Sequence, residues 1–129
     1  MKVVYPVILS KEKDGYFVSI PDFDMNTQGK DLADAIFMAR DAIALMGITL
    51  EDEGEDLPIS NSAIIKKEKE EDIITLIDVD LEEYRKRNDN RAVKKNCTIP
   101  YWLSVRAEKE NINFSEVLRE ALKEKLKIR

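Results

Sequence analysis

The chain has 129 residues, 43% of them hydrophobic, with a formal net charge of −5, one cysteine and no histidine. The lack of histidine excludes Ser–His and Cys–His nucleophile pairs and removes the commonest general base and metal ligand. One cysteine excludes an intramolecular disulfide and a cysteine metal cluster, and no apolar run approaches the ~18 residues that span a bilayer. We therefore expect a cytoplasmic protein of one domain or two small ones, without a metal or cofactor.

The net charge changes sign along the chain. Residues 91–129 hold ten Lys/Arg and five Asp/Glu, a net of +5, whereas residues 1–90 hold eleven and twenty-one, a net of −10. A basic segment joined to an acidic body suggests a nucleic-acid reader attached to a part with another task. An acidic surface repels DNA and attracts a basic partner, although many acidic surfaces only keep a protein in solution.

Alternating apolar residues in the acidic body predict strands at 3–9 and 16–20, joined by a charged turn that ends in Asp-Gly. A short third strand is predicted at 25–28, and residues 59–63 are predicted to form a loop. The strongly apolar run at 73–79 predicts a fourth strand, which we expect in the centre of the sheet.

One long helix separates the third strand from the fourth. Asp31 is predicted to be its N-cap, with Asp34 adding charge in the first turn, and the helix is expected to continue to about Glu53. Its predicted core-facing stripe consists of Leu32, Ala35, Ile36, Ala39, Ile43 and Met46. Residues 80–84 begin a short helix, and the polar run at 85–92 is expected to be an interdomain linker.

The basic part begins with a predicted strand at 93–99. Lys94, Asn96 and Thr98 are spaced two apart, so a strand would present all three on one face. Cationic, amide and hydroxyl groups are the kinds that hydrogen-bond to base edges and phosphates. Cys97 points the other way and is expected to be a small core residue.

Two helices are predicted after this strand. Pro100 suits the first position of a helix that ends near Glu110. Asn113 is predicted to be the N-cap of the second helix, with Glu116 three residues later. Their predicted apolar stripes are Trp102, Leu103 and Ala107 in the first helix, and Val117, Leu118, Ala121, Leu122 and Leu126 in the second.

A lone strand at 93–99 with two short helices buries too little apolar surface to be stable without a partner. Antiparallel pairing with the same strand of a second copy makes a two-stranded ribbon backed by four helices, and such a ribbon fits the major groove of DNA. The alternative is a helical hairpin that is used only for dimerisation.

Residues 93–100 and 113–122 resemble a ribbon-helix-helix domain, although Lys95 stands where that family usually has a core residue. The resemblance implies a dimer whose strand reads DNA and whose second helix holds a phosphate on its first backbone amides. The DNA-binding residues that it implies are Lys94, Asn96, Thr98, Asn113 and Ser115.

The body resembles the N-terminal domain of HicB-type antitoxins over residues 5–7, 15–23, 27–29 and 34–39, and the ribbon-helix-helix tail matches one HicB subclass. The resemblance implies an α+β protein with a degenerate ribonuclease-H-like β-β-β-α-β domain that lacks the nuclease acids. The expected domains are a toxin-binding body at 1–84, a linker at 85–92 and a ribbon-helix-helix domain at 93–129.

The same resemblance implies a non-enzymatic function. The body would bind and block a HicA-type toxin, a small basic ribonuclease that cleaves mRNA, and the tail would bind operator DNA and repress the operon. The chain would form a homodimer or a dimer of dimers. The expected toxin-binding residues lie on or beside the second hairpin: Tyr16, Asp22, Phe23, Asp24 and Gln28. Core packing is the competing interpretation for the two aromatic residues among them.

Two other functions compete with this one. The first is a stand-alone transcriptional regulator whose body senses a small ligand. The second is a Mg²⁺-dependent nuclease built on Asp78 and Asp80, with Asp22 and Asp24 as further carboxylates. Four acids near strand ends are a weak signal in a chain with 26 of them.

Overall fold

The computed structural model describes residues 1–61, 65–89 and 91–128, and the chain divides into two units, Met1–Arg91 and Ala92–Arg129. Residues 62 and 63 of the predicted loop therefore lie outside the described residues. The elements, in chain order, are β1 (Lys2–Glu12), β2 (Gly15–Ile20), a 3₁₀ turn (Pro21–Phe23), β3 (Met25–Gly29), α1 (Leu32–Asp52), β4 (Ile73–Asp80), α2 (Leu81–Asn88), α3 (Tyr101–Lys109) and α4 (Phe114–Leu126). Among the described residues no helix is long and apolar enough to cross a membrane.

The four strands form one antiparallel sheet in the order β3-β2-β1-β4. Leu9 of β1 lies opposite Val18 of β2 and also opposite Ile73 of β4, so β1 is paired along both edges. The predicted alternation in β1 is confirmed, because Tyr5, Val7 and Leu9 are buried. They share a face with Val18, Ile20, Ile77 and Val79, and α1 covers that face to make the core.

The prediction that β4 is central was wrong, because β4 forms the edge of the sheet next to β1. Ile77 and Val79 are buried, whereas Ile74 and Leu76 on the opposite face are exposed. An apolar run predicts a strand, but it does not say how many neighbours that strand has. In β4, only the face that α1 covers has fully buried side chains.

Helix α1 begins where the sequence predicted. The Asp31 side chain accepts a hydrogen bond from the backbone N–H of Asp34 at 2.8 Å, which confirms the N-cap. The buried residues of α1 are Ala35, Ala39, Ile43, Ala44, Gly47 and Ile48. Three of the six predicted stripe residues are therefore buried, Ile36 and Met46 are partly buried, and Leu32 is exposed. A Cβ on Gly47 would lie only 2.9 Å from Cδ2 of Leu81, so α1 lies close to α2 at a position that has no side chain.

The stretch expected to be a linker begins inside α2, which extends to Asn88. Arg85 donates to the carbonyl of Ile48 at 3.2 Å and forms ion pairs with Glu51 at 3.3 Å and Asp52 at 2.9 Å. These contacts hold α2 against the C-terminal end of α1, where cations also interact favourably with the helix dipole. The sequence suggested a linker because residues 85–92 lack apolar periodicity. In the structure, ion pairs rather than apolar contacts anchor the start of this stretch to α1.

In the second unit, the N-cap prediction for α4 is confirmed, because the Asn113 side chain accepts from the N–H of Glu116 at 3.1 Å. Pro100 lies at the N-cap of α3 rather than at its first helical position, with φ −57° and ψ 142°. Between the helices, Asn111 adopts a left-handed conformation with φ 55°, which asparagine tolerates better than most residues.

Residues 91–100 have neither helix nor strand in the single chain, so the predicted strand at 93–99 is not present there. A strand is defined by hydrogen bonds to a neighbour, and β1–β4 pair only with one another. Cys97, expected in a core, is exposed. No residue of α3 or α4 is buried, and their exposed apolar side chains include Trp102, Leu103, Val117, Leu118, Leu122 and Leu126.

We predict that Gly29→Ala destabilises the first unit by about 3 kcal/mol, because the new methyl group would overlap the backbone of α1. A Cβ on Gly29 would lie 2.3 Å from the backbone N of Ala35 and 2.5 Å from its Cα. Gly54→Ala is the control: Gly54 has φ +72° but open space around it, so only a backbone cost of about 1 kcal/mol is expected. Chemical denaturation measures both, and equal losses would contradict the close packing.

We also predict that Arg85→Met lowers the melting temperature at pH 7 and reduces its fall in acid. The hydrogen bond from Arg85 is the main cause that lowers the pKa of Asp52 below its usual value of 3.8. A carboxylate with a lowered folded-state pKa stabilises the fold above its unfolded pKa, and this stabilisation disappears as the pH falls through the lowered value. Arg87→Met is the control, because Arg87 is exposed and, within the described residues, pairs only with Glu83 at 3.4 Å. Identical melting-versus-pH curves for the two variants would show that Arg85 has no special role.

Candidate functional site

The predicted base-reading residues Lys94, Asn96 and Thr98 are all exposed and lie in the irregular segment 91–100. In the single chain, this segment has no hydrogen bonds to a neighbouring strand that would align the three side chains on one face. Within the described residues, none of the three takes part in an ion pair or a side-chain hydrogen bond. The three side chains are therefore available, but their arrangement on one face stays a prediction.

The predicted phosphate contacts lie at the start of α4. The N–H of Glu116 is occupied by the Asn113 side chain, and the N–H of Val117 donates to the Asn113 carbonyl at 3.1 Å. The first two helical amides, those of Phe114 and Ser115, have no partner within a helix by geometry. They lie at the positive end of the helix dipole, the kind of position at which proteins bind phosphate.

The five predicted toxin-binding residues lie at two places, beside the β1–β2 turn and in the turn that follows β2. Tyr16 and Gln28 line an open cavity of about 630 Å³ between the β1–β2 turn and the first turns of α1. Tyr16 also packs against the core. Phe23 packs edge-to-face against Tyr5, with ring centroids 4.7 Å apart. Both aromatic residues therefore have a packing role, and nothing in the geometry assigns them a partner.

Asp22 and Asp24 shape the turn after β2. Asp22 accepts from the backbone N–H of Asn61 at 3.1 Å and from its side-chain amide at 2.6 Å, while Asp24 adopts a left-handed conformation with φ 50°. The Tyr5 hydroxyl donates to the Pro58 carbonyl at 2.7 Å. Burial, and then the negative charge of Asp22, raise the pKa of Tyr5. These contacts tie the turn after β2 to the loop that follows α1.

The carboxylates considered for a metal site have other partners. Asp78 pairs with Arg40 at 3.1 Å, and Asp80 caps α2 by accepting from the N–H of Glu83. Across residues 1–61, 65–89 and 91–128, no three His, Cys, Asp or Glu side chains come close enough to hold a metal ion. The nuclease alternative therefore has no geometric support in this part of the chain.

A cavity that the sequence did not predict lies between α1 and α2, over the end of β4, with a volume of about 430 Å³. The Tyr84 hydroxyl donates to Oδ1 of Asp41 at 3.1 Å across it. Burial, and then that hydrogen bond, raise the pKa of Tyr84. Phe37 stands at the rim with 62% of its surface exposed. We call this cavity the α1–α2 groove; it is lined by Phe37, Arg40, Asp41, Ala44, Asp78, Val79, Asp80, Glu83, Tyr84, Arg87 and Asn88.

Comparison with known proteins identifies the fold. A family model described as the HicB-like antitoxin of bacterial toxin–antitoxin systems matches residues 5–121. An uncharacterised 14.9 kDa protein from the rep–hol intergenic region of Haemophilus phage HP1 is 33% identical over 102 residues, covering 76% of this chain and 74% of that protein.

Solved structures agree with the family model. A chain of a toxin–antitoxin complex from Streptococcus pneumoniae superposes with a TM-score of 0.61 at 25% identity, covering 97% of this chain and 99% of that one. The antitoxin HicB of Burkholderia pseudomallei gives 0.53 at 25% identity, covering 96% and 98%. The antitoxin HicB3 gives 0.52 at 26% identity, covering 95% and 97%. An α+β chain with one four-stranded antiparallel sheet, matched in sequence and in structure along most of its length, belongs to the HicB-like antitoxin family of bacterial toxin–antitoxin systems.

Proposed function

We propose that the protein neutralises a HicA-type, mRNA-cleaving ribonuclease toxin with its first unit, and that its second unit dimerises, binds operator DNA and represses the operon. Membership of an antitoxin family supports the first part of this proposal. The division of charge supports both parts, because the boundary between the acidic and basic halves falls within one residue of the boundary between the units. Both partners, a ribonuclease and the operon's DNA, are expected in the cytoplasm.

The single observation that carries the DNA-binding part is the uncovered apolar surface of α3 and α4. Val117 and Leu122 each keep about half of their surface exposed, and Trp102 keeps more. Burying such side chains stabilises a protein by roughly 1.5–3 kcal/mol each, and a unit of under about 40 residues seldom folds without a partner. A second copy supplies that partner. The same segment of the second copy would also offer residues 93–99 a strand with which to form backbone hydrogen bonds.

Pairing two copies of 93–99 would align the side chains of Lys94, Asn96 and Thr98 on the outer face of a ribbon. Such a ribbon fits the major groove, where an amide reads adenine and a lysine reads guanine. The amides at the start of α4, next to Asn113 and Ser115, would then hold a backbone phosphate. A dimer could in turn assemble into a dimer of dimers.

We predict that the wild-type protein shifts a duplex carrying its own upstream operator, and that Lys94→Ala, Asn96→Ala and Thr98→Ala each weaken that binding. The loss for a good base contact is about 1–3 kcal/mol, and the loss of the cation in Lys94→Ala should also reduce the salt dependence of binding. Lys86→Ala is the control, because Lys86 is an exposed cation on α2 in the first unit. Unchanged affinity and sequence preference in all three ribbon variants would exclude base reading by this segment.

We predict that the full-length chain co-purifies with the product of the adjacent reading frame and suppresses its cleavage of RNA. That product is expected to be a small basic protein. The candidate contacts for it on the second hairpin remain Tyr16, Asp22, Phe23, Asp24 and Gln28. Repression of the operon without any basic protein partner would favour a stand-alone regulator that senses a small ligand.

A further inference from the structure

The α1–α2 groove has an apolar floor and an acidic rim. Ala44 and Val79 are buried beneath it, with exposed fractions of 1% and 4%. Its lining contributes two cations and four carboxylates, a net of −2: Arg40 and Arg87 against Asp41, Asp78, Asp80 and Glu83. An apolar cavity with a few charged groups at its rim is the usual form of a specific binding site.

Both cations of the groove are already paired. Arg40 donates from Nε to the carbonyl of Asp78 at 3.0 Å and from its terminal nitrogen to the carboxylate at 3.1 Å. Arg87 pairs with Glu83 one turn earlier on α2. Among the described residues, no cation lies within ion-pair distance of Asp41, and Asp80 only caps its own helix. The groove therefore lacks two positive charges, one for each of the two carboxylates that remain.

Asp41 is held in a fixed position. Its Oδ1 accepts the hydroxyl proton of Tyr84 at 3.1 Å, and Tyr84 packs against the core. The other oxygen of Asp41 makes no hydrogen bond within the described part of the chain. An oriented carboxylate costs less entropy to engage than a mobile one, which favours binding of a cationic group.

Phe37 adds a second element that suits a cation. It precedes Asp41 by one helical turn on α1, so the two side chains lie on the same face of the helix. The ring is more than half exposed. A lysine or arginine head over an aromatic face is attracted by about 0.5–2 kcal/mol, and its methylene stem would cover the apolar floor.

We propose that the α1–α2 groove receives a lysine or arginine side chain of a protein partner, which pairs with Asp41 and stacks on Phe37. The acidic character of the unit that carries the groove selects a basic partner. The proposal rests on the function proposed above, because it takes that partner to be the toxin. It locates a contact that the second-hairpin residues do not include.

The test measures the affinity of the purified full-length antitoxin for the co-encoded toxin by calorimetry at two salt concentrations. We expect Asp41→Asn and Phe37→Ala each to weaken binding about tenfold, and Asp41→Asn to reduce the salt dependence. Asp41→Asn keeps the volume of the side chain and its hydrogen bond to Tyr84, so the melting temperature should match that of the wild type.

Two controls are matched to these variants. Glu82→Gln removes one exposed carboxylate from the neighbouring α2 outside the groove. Leu45→Ala removes an exposed apolar side chain, 54% accessible, from α1 itself. Both should bind within about twofold of the wild type. Tyr84→Phe leaves the charge of Asp41 but frees its carboxylate, and a smaller loss than for Asp41→Asn is expected.

The outcomes separate the two proposals. If the wild type does not bind the toxin, the proposed function fails and the groove contact fails with it. If the wild type binds while Asp41→Asn and Phe37→Ala behave like the controls, the antitoxin function stands and the groove contact is overturned. A change in the oligomeric state of the variants without toxin would also overturn it, because the occupant would then be a second copy.

Discussion

The fold of the first unit depends on the close contact between α1 and one face of the sheet. Four strands can be covered by a single helix only if that helix approaches the strands closely, and small residues on both sides allow it. The backbone of Gly29 meets the backbone of Ala35 where no Cβ would fit, and on the same helix Gly47 lies close to the side chain of Leu81 in α2. Helix α1 covers one face of the sheet, β4 forms its edge beside β1, and the space between α1 and α2 is open as a groove.

Acidic residues act at two levels in this unit. Some are used internally: Asp52 in the last turn of α1 pairs with Arg85 at 2.9 Å and with Arg91, the last residue of this unit, at 3.2 Å. Others have no cation within ion-pair distance in the part of the chain that the structure describes. Asp41 in the α1–α2 groove is the clearest, because its position is fixed by a tyrosine hydroxyl and its charge is not balanced. A surface that only kept the protein in solution would not need such fixed carboxylates.

The second unit contrasts with the first. Its helices begin and end with well-formed local signals, among them the Asn113 cap and the left-handed Asn111, yet its apolar side chains stay uncovered. Capping and turn residues are enough to define where a helix begins and ends. Burying its apolar side chains requires a second surface. In the proposed function, dimerisation and DNA binding would be acquired together, since the proposed ribbon would both join two copies and read DNA.

The sequence by itself determined whatever is decided within a few residues: the alternation of β1, the N-caps at Asp31 and Asn113, and the family to which the chain belongs. It placed β4 in the centre of the sheet and Arg85 in a linker, and both placements were wrong. It did not indicate the α1–α2 groove, because Asp41 and Tyr84 are 43 positions apart. Strand neighbours, ion-pair partners and groove walls come from distant parts of the chain, so only the tertiary structure decides which of many similar charged residues meet.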